Sequence, residues 1–183
     1  MTLDDVLPHL PRLRRHARLL AGDAARADDL LQDTLERAAR KAALWQPPPG
    51  GDPAAALRSW LFTLMHHLHL NQRRDARDHR FETYDDEGGS QDPLHEPHRD
   101  LATRLDLEKA LAQLPDEARQ VLLLVCVEEL SYEAAAQVLA VPVGTVMSRL
   151  SRARERLRRL MDPPAVGGGS GHSGAATLRR IRP

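Results

Sequence analysis

Residues 131–160 read SYEAAAQVLAVPVGTVMSRLSRARERLRRL, and this stretch predicts two helices joined by a very short turn. Ser131 is placed to cap the first helix, and Glu133 puts a carboxylate in the first turn, where the helix dipole favours negative charge. Ala134, Ala135, Val138 and Leu139 supply its inner face. Ala140-Val141-Pro142 ends it, because proline cannot continue a helix interior. The second helix carries Val143, Val146, Leu150, Ala153, Leu157 and Leu160 in steps of three and four, a single core-facing stripe. Thr145, Ser148, Arg149, Arg152, Arg156 and Arg159 fall on the opposite face. Between Val143 and Leu160 six arginines stand against one acid, Glu155. A packed helix pair presenting an Arg/Ser/Thr face is the sequence form of a helix-turn-helix. The plainer alternative is a helical hairpin with a solvated basic face. A face built for solubility would mix its signs, and this one does not, so DNA is the expected ligand.

The rest of the chain fits that frame. Its 183 residues hold one ordinary domain or two small ones. Aromatic residues make up only 3%, and Ala, Leu and Arg dominate, a composition that favours helices. The 26 basic and 26 acidic residues cancel formally, but they are segregated along the chain, so the balance does not exclude nucleic acid. One cysteine, Cys126, excludes an internal disulfide and a multi-cysteine zinc site, and its place in VLLLVCV predicts a buried, inert thiol. No signal peptide is expected at residues 1–20, which already contain Asp4, Asp5 and four arginines. No apolar run approaches the ~18 residues that span a bilayer. A cytoplasmic protein without membrane insertion is expected.

Upstream, Leu10, Leu13, Ala17 and Leu20 predict a helix that Gly22-Asp23 breaks. A second helix, 24–44, carries Ala27, Leu30, Leu31, Leu35 and Ala38 inward, beside an acidic stretch of Asp28, Asp29, Gln32, Asp33 and Glu36. That stretch is either a solvated face or a docking surface for a basic partner. QPPPGGDPAAA, residues 46–56, predicts a loop. The helix that follows, 57–80, buries Leu57, Trp60, Leu61, Leu64 and Leu68 and ends in a cationic, polar run from Asn71 through Arg73, Arg74, Arg77 and Arg80. His66, His67 and His69 point to different faces with no nearby carboxylate or cysteine, so no metal site is expected. Residues 81–100 predict an acidic flexible linker. Leu101, Leu105, Ala110 or Leu111, and Leu114 then point inward on a helix, followed by a strongly apolar one from Asp116. Residues 163–183 predict a disordered tail ending in Arg179, Arg180 and Arg182. The expected fold is all-α: a helical domain at 1–80, a flexible linker at 81–100, and a second helical domain with the helix-turn-helix at 101–162. No Gly-rich phosphate loop, nucleophile triad or paired carboxylate is set by spacing, so neither an enzyme nor a cofactor is expected.

Three blocks carry a family resemblance. They are ADDLLQDTLERA at 27–38, LRSWLFTLMHHLHLNQRR at 57–74, and ALAQLPDEARQVLLLVCVEELSYEAAAQVLAVPVGTVMSRLSRARERL at 110–157. In this order and spacing, across residues 5–161, the chain resembles a bacterial sigma factor of the extracytoplasmic-function (ECF) class of the sigma-70 family. The resemblance implies that the first block docks on core RNA polymerase through Asp28, Asp29, Gln32 and Asp33. It implies that the second melts and reads the −10 promoter element through Asn71, Arg73, Arg74 and Arg77. The third would read the −35 element, with Arg149 and Arg152 at the major groove and Thr145, Ser148 and Arg154 on phosphates. It further implies core polymerase, promoter DNA and an anti-sigma factor as partners. The chain departs from the family pattern at Met147, where Arg or Lys is common, at Ala39, where an aromatic is common, and at Asn71, where many members carry Asp. The main rival is a stand-alone helix-turn-helix transcriptional regulator that binds DNA without polymerase; a helical adaptor making only protein contacts is a second.

Overall fold

The computed structural model describes the backbone of residues 2–80 and 98–161, and side chains over most of 4–76 and 105–161. Every regular element among them is helical: α1 (Leu3–Val6), α2 (Leu10–Ala21), α3 (Ala24–Lys41), α4 (Pro53–Arg80), α5 (His98–Ala112), α6 (Asp116–Leu122), α7 (Tyr132–Leu139) and α8 (Val143–Met161), with short 3-10 and π turns between some of them. Residues 81–97 of the linker expected at 81–100, and the tail expected at 163–183, lie outside the described residues.

The first helical unit is α2, α3 and α4. Gly22 ends α2 in the left-handed region at φ 74°, where its N–H bonds the Arg18 carbonyl at 3.0 Å. One residue on, the Asp23 carboxylate accepts from the Arg26 N–H at 2.9 Å and starts α3. The tight reversal sets Leu13, Ala17 and Leu20 of α2 against Ala27, Leu30, Leu31 and Ala38 of α3, with Leu57, Leu61, Phe62 and Met65 of α4 closing the core. Thr34, fully buried in this packing, donates to the Leu30 carbonyl at 2.7 Å.

The second unit is α5 to α8. Leu111 and Leu114 pack with Val121–Leu124, Leu130, Ala135, Val138 and Leu139, and α8 adds Val146, Leu150 and Ala153. Ser131 caps α7 as expected, accepting from the Ala134 N–H at 3.1 Å. Ala140 turns the chain at φ 52°, ψ 44°, and Pro142 opens α8 by accepting from Thr145 and Val146. The α7–turn–α8 geometry is the helix-turn-helix read from the sequence.

Several sequence expectations change. The loop before α4 is shorter than 46–56, because Pro53 suits a first helical turn that lacks N–H partners and Asp52 Oδ1 accepts from the Ala54 N–H at 2.9 Å. α5 begins at His98, inside the stretch expected as linker. Leu105 faces solvent rather than the core. Cys126 is exposed, not buried. The α-helix expected from Asp116 onward gives way to a π turn at Leu123–Val127, closed by the Glu128 N–H on the Leu123 carbonyl at 3.0 Å. The wider turn changes the phase of the chain after Leu124, turning Cys126 out and Glu128 in.

How the two units meet had no counterpart in the sequence expectations. They pack on each other, α4 against α7 and α2 against α5 and the π turn, and their apolar residues form one continuous core.

Candidate nucleic-acid interface

α8 presents Ser148, Ser151, Arg152, Arg154, Glu155 and Arg156 to solvent, with Met147 beside them at 53% exposure. Its apolar stripe is buried, so rotation about the helix axis is locked and these side chains stay outward. Ser148 Oγ donates to the Thr145 carbonyl at 3.1 Å, and Arg152 Nε donates to the Ser148 carbonyl at 3.2 Å. Arg154 donates from Nη2 to Cys126 Sγ at 3.3 Å. Thr145 and Arg149 are half-buried at the margin of the face. Arg149 leans toward α6, where its Nη2 sits 2.7 Å from Glu117 Oε2. Ser148 and Arg152 therefore hold the centre of the exposed face and Arg149 its edge.

The second basic element is the carboxyl-terminal end of α4. Asn71 and Arg74 are exposed and bonded to each other, Arg74 Nη2 donating to Asn71 Oδ1 at 3.1 Å. Arg73 makes an ion pair with Asp116 at the start of α6. Arg77 is on the same helix, but its side chain is outside those described. The acidic stretch on α3 keeps Asp28, Asp29, Gln32 and Asp33 exposed, as a docking surface requires. Gln32 donates to Glu36 at 3.3 Å, and Asp33 accepts from Gln72 of α4 at 2.9 Å. That bond links the acidic face of α3 to the basic end of α4.

Among the described residues no three His, Cys, Asp or Glu side chains are placed to share an ion. His66 and His69 are buried, although the sequence placed them outside the apolar stripe. Burial pushes the His66 imidazole down to about 4, with the neighbouring His67 and His69 adding in the same direction. His69 Nε2 lies 3.2 Å from Asp116 Oδ1. Burial raises the Asp116 carboxyl, but His69 and Arg73 outweigh it and hold the group below the usual carboxylate range. The acidic partners Asp116, Glu117 and Glu128 had no role in the sequence reading. Their one sequence signal was Asp-Glu directly after Leu114-Pro115, which marks a helix start and says nothing of what it faces.

Two family models match the two units, the Sigma2 domain of PhyR over residues 6–66 and Sigma-70, region 4 over residues 104–157. The ECF RNA polymerase sigma factor EcfG of Rhodopseudomonas palustris is 38% identical over 161 residues, which are 86% of this chain and 83% of that one. The chain belongs to the ECF RNA polymerase sigma factors. The sigma factor SigL of Mycobacterium tuberculosis is 37% identical across 82% of each chain. Among solved structures, the sigma factor RpoE of Bartonella quintana, co-crystallised with the anti-sigma factor NepR, is similar with a TM-score of 0.75 at 31% identity, covering 88% of this chain and 96% of that one. This sigma factor directs transcription initiation, and its faces can be weighed as parts of that task. Among the described residues no helix is long and apolar enough to cross a membrane.

Proposed function

We propose that residues 1–80 hold the sigma factor on core RNA polymerase and read the −10 element, and that residues 101–162 read the −35 element. The observation that carries this is the pair of outward basic faces, α8 and the end of α4, on units that match region 4 and the Sigma2 domain. Arg152 at the centre of the α8 face can pair bidentately with guanine, and Arg149 joins it by releasing Glu117. Thr145, Ser148 and Arg154 hold phosphates and set register. Asn71, Arg73, Arg74 and Arg77 take the unpaired strand, bases in pockets and arginines on the backbone. Asp28, Asp29, Gln32 and Asp33 dock on a basic element of the polymerase, where charge complementarity supplies on-rate and register.

The protein makes and breaks no bond in this reading; its work is binding and strand separation. It acts in the cytoplasm, with core polymerase and promoter DNA. An anti-sigma factor is a further partner, because the RpoE chain it resembles is bound to one. In vitro transcription with core enzyme on a genomic promoter library is the direct test. Discrete starts sharing −35 and −10 sequences are expected. Failure to bind core polymerase in a pull-down overturns the reading.

A further inference from the structure

α2 and α4 run side by side in the same direction. Their middles meet where the His16 ring lies against Phe62, centroids 4.8 Å apart. Their carboxyl-terminal parts both reach the start of α6, where Arg119 Nη1 donates to the Leu20 carbonyl of α2 at 3.0 Å and Asp116 holds His69 and Arg73 of α4. One helical turn before His16 is Arg12, and one turn before Phe62 is Arg58, so the pairing of the helices brings these two arginines to one place. His9, in the 3-10 turn Leu7–His9, precedes Arg12 by three residues and joins them. Its imidazole is held below the ordinary 6.5, by burial first, then by the Arg58 and Arg12 guanidinium groups.

All three side chains are half-buried. Arg58 Nε is sealed from solvent and has no hydrogen-bond partner. Among the described residues no carboxylate pairs with His9, Arg12 or Arg58. Of the acids that flank them in sequence, Asp5 accepts from the Thr2 N–H and hydroxyl at 2.7 and 3.0 Å, Asp52 accepts from the Ala54 N–H at 2.9 Å, and Asp4 is exposed on α1. Arg15, on the same helix as Arg12, is the contrast. It donates to the Val127 carbonyl at 3.3 Å and meets Glu128 Oε1 at 3.5 Å, across the seam between the two units. An arginine that serves the fold is paired in that way. Crowded like charges and a buried N–H without an acceptor both disfavour the His9–Arg12–Arg58 corner by itself, and one anion relieves both.

We infer that His9, Arg12 and Arg58 form a binding site for a phosphate group. Two guanidinium forks on neighbouring helices can each give paired N–H donors to different oxygens of one tetrahedral group, whereas a carboxylate offers a single edge to one fork. Protonated His9 adds a further donor, and a bound phosphate favours that protonation. Along α4 the site lies ~22 Å from Arg73, at 1.5 Å of rise per residue. It is therefore separate from the basic run at the other end of the helix and does not depend on the role proposed for that run. A backbone phosphate of DNA and a free phosphate present the same chemistry here.

The test follows the His9 ring resonances of the full chain by NMR, identified with His9→Gln. Inorganic phosphate is titrated against chloride at matched ionic strength, and a single-stranded oligodeoxynucleotide is titrated in parallel. The expected result is a saturable shift of His9 that chloride does not reproduce, with the imidazole pKa raised, and its loss in Arg12→Gln and in Arg58→Gln. Arg12→Gln leaves the buried Arg58 Nε in place, so it tests the site even where Arg58→Gln lowers stability. An oligonucleotide that gives the same shift at roughly tenfold lower concentration than phosphate, a difference of ~1.4 kcal/mol, identifies the ligand as a DNA backbone; otherwise it is a free phosphate. A His9 shift that chloride reproduces, a shift that persists in both arginine variants, or no shift with either probe overturns the site.

Discussion

At the scale of single residues, Ala140 and His66 are the clearest cases of local conflict resolved by packing. Ala140 sits in the left-handed region because the reversal between α7 and α8 needs a positive φ, and the Val141 N–H then reaches the Ala136 carbonyl at 3.1 Å. An L-residue there is strained by ~1–2 kcal/mol, part of which glycine returns as unfolded-chain entropy. Ala140→Gly should therefore stabilise the protein by about 0.5 kcal/mol, seen as a small rise in Tm; a fall would show that the methyl group contributes packing instead. His66 is held neutral by burial, its value lowered from 6.5 to about 4. Between those values the unfolded chain binds a proton that the folded chain does not. Stability from this group is complete above pH 6.5 and is lost as pH falls toward 4, up to ~3 kcal/mol in the limit. Asp116 is depressed below its ordinary 3.8, so its contribution survives through this window and fades only at more acidic pH. Thermal melts between pH 7.5 and 4.5 should show the loss, and His66→Leu should flatten the part that His66 causes.

At the scale of elements, α8 and α3 carry opposite tasks. The face of α8 was legible because its stripe of Val146, Leu150 and Ala153 has strict helical spacing, which leaves Ser148 and Arg152 outside. That Arg149 lies at the edge, against Glu117, depends on where α6 crosses α8, and no local pattern encodes a crossing. Arg149→Ala should reduce promoter-specific transcription while core polymerase binding stays unchanged; equal loss of both would refute its place at the DNA. Glu117→Gln releases Arg149 without altering the core. It should leave Tm nearly unchanged, since exposed pairs contribute ~0–1 kcal/mol, and steepen the salt dependence of duplex binding by about one charge. On α3, reversing Asp28 and Asp33 together to arginine should weaken polymerase binding at least about tenfold without lowering helix content. Unchanged affinity would place docking elsewhere.

At the scale of the whole molecule, the two units share a core and a charged seam. Wild-type protein should unfold in one thermal transition, whereas the double variant Arg15→Gln with Asp116→Asn should show two, because the seam no longer couples the units. The sequence by itself determined the all-helical fold, the helix-turn-helix and the two basic faces, because each follows from neighbours three and four residues apart or from a cap and its helix. The structure alone decided that His66, His69 and Glu128 are buried, that Cys126 is exposed, and that Arg73 and Arg149 have acidic partners. Those outcomes join α2 and α4 to a helical unit that starts at least 18 residues beyond the end of α4. Asp116 could be read as a helix start from its own neighbours. That it faces α4 is a fact of docking, and the local periodicity of either helix is the same whether or not the other is present.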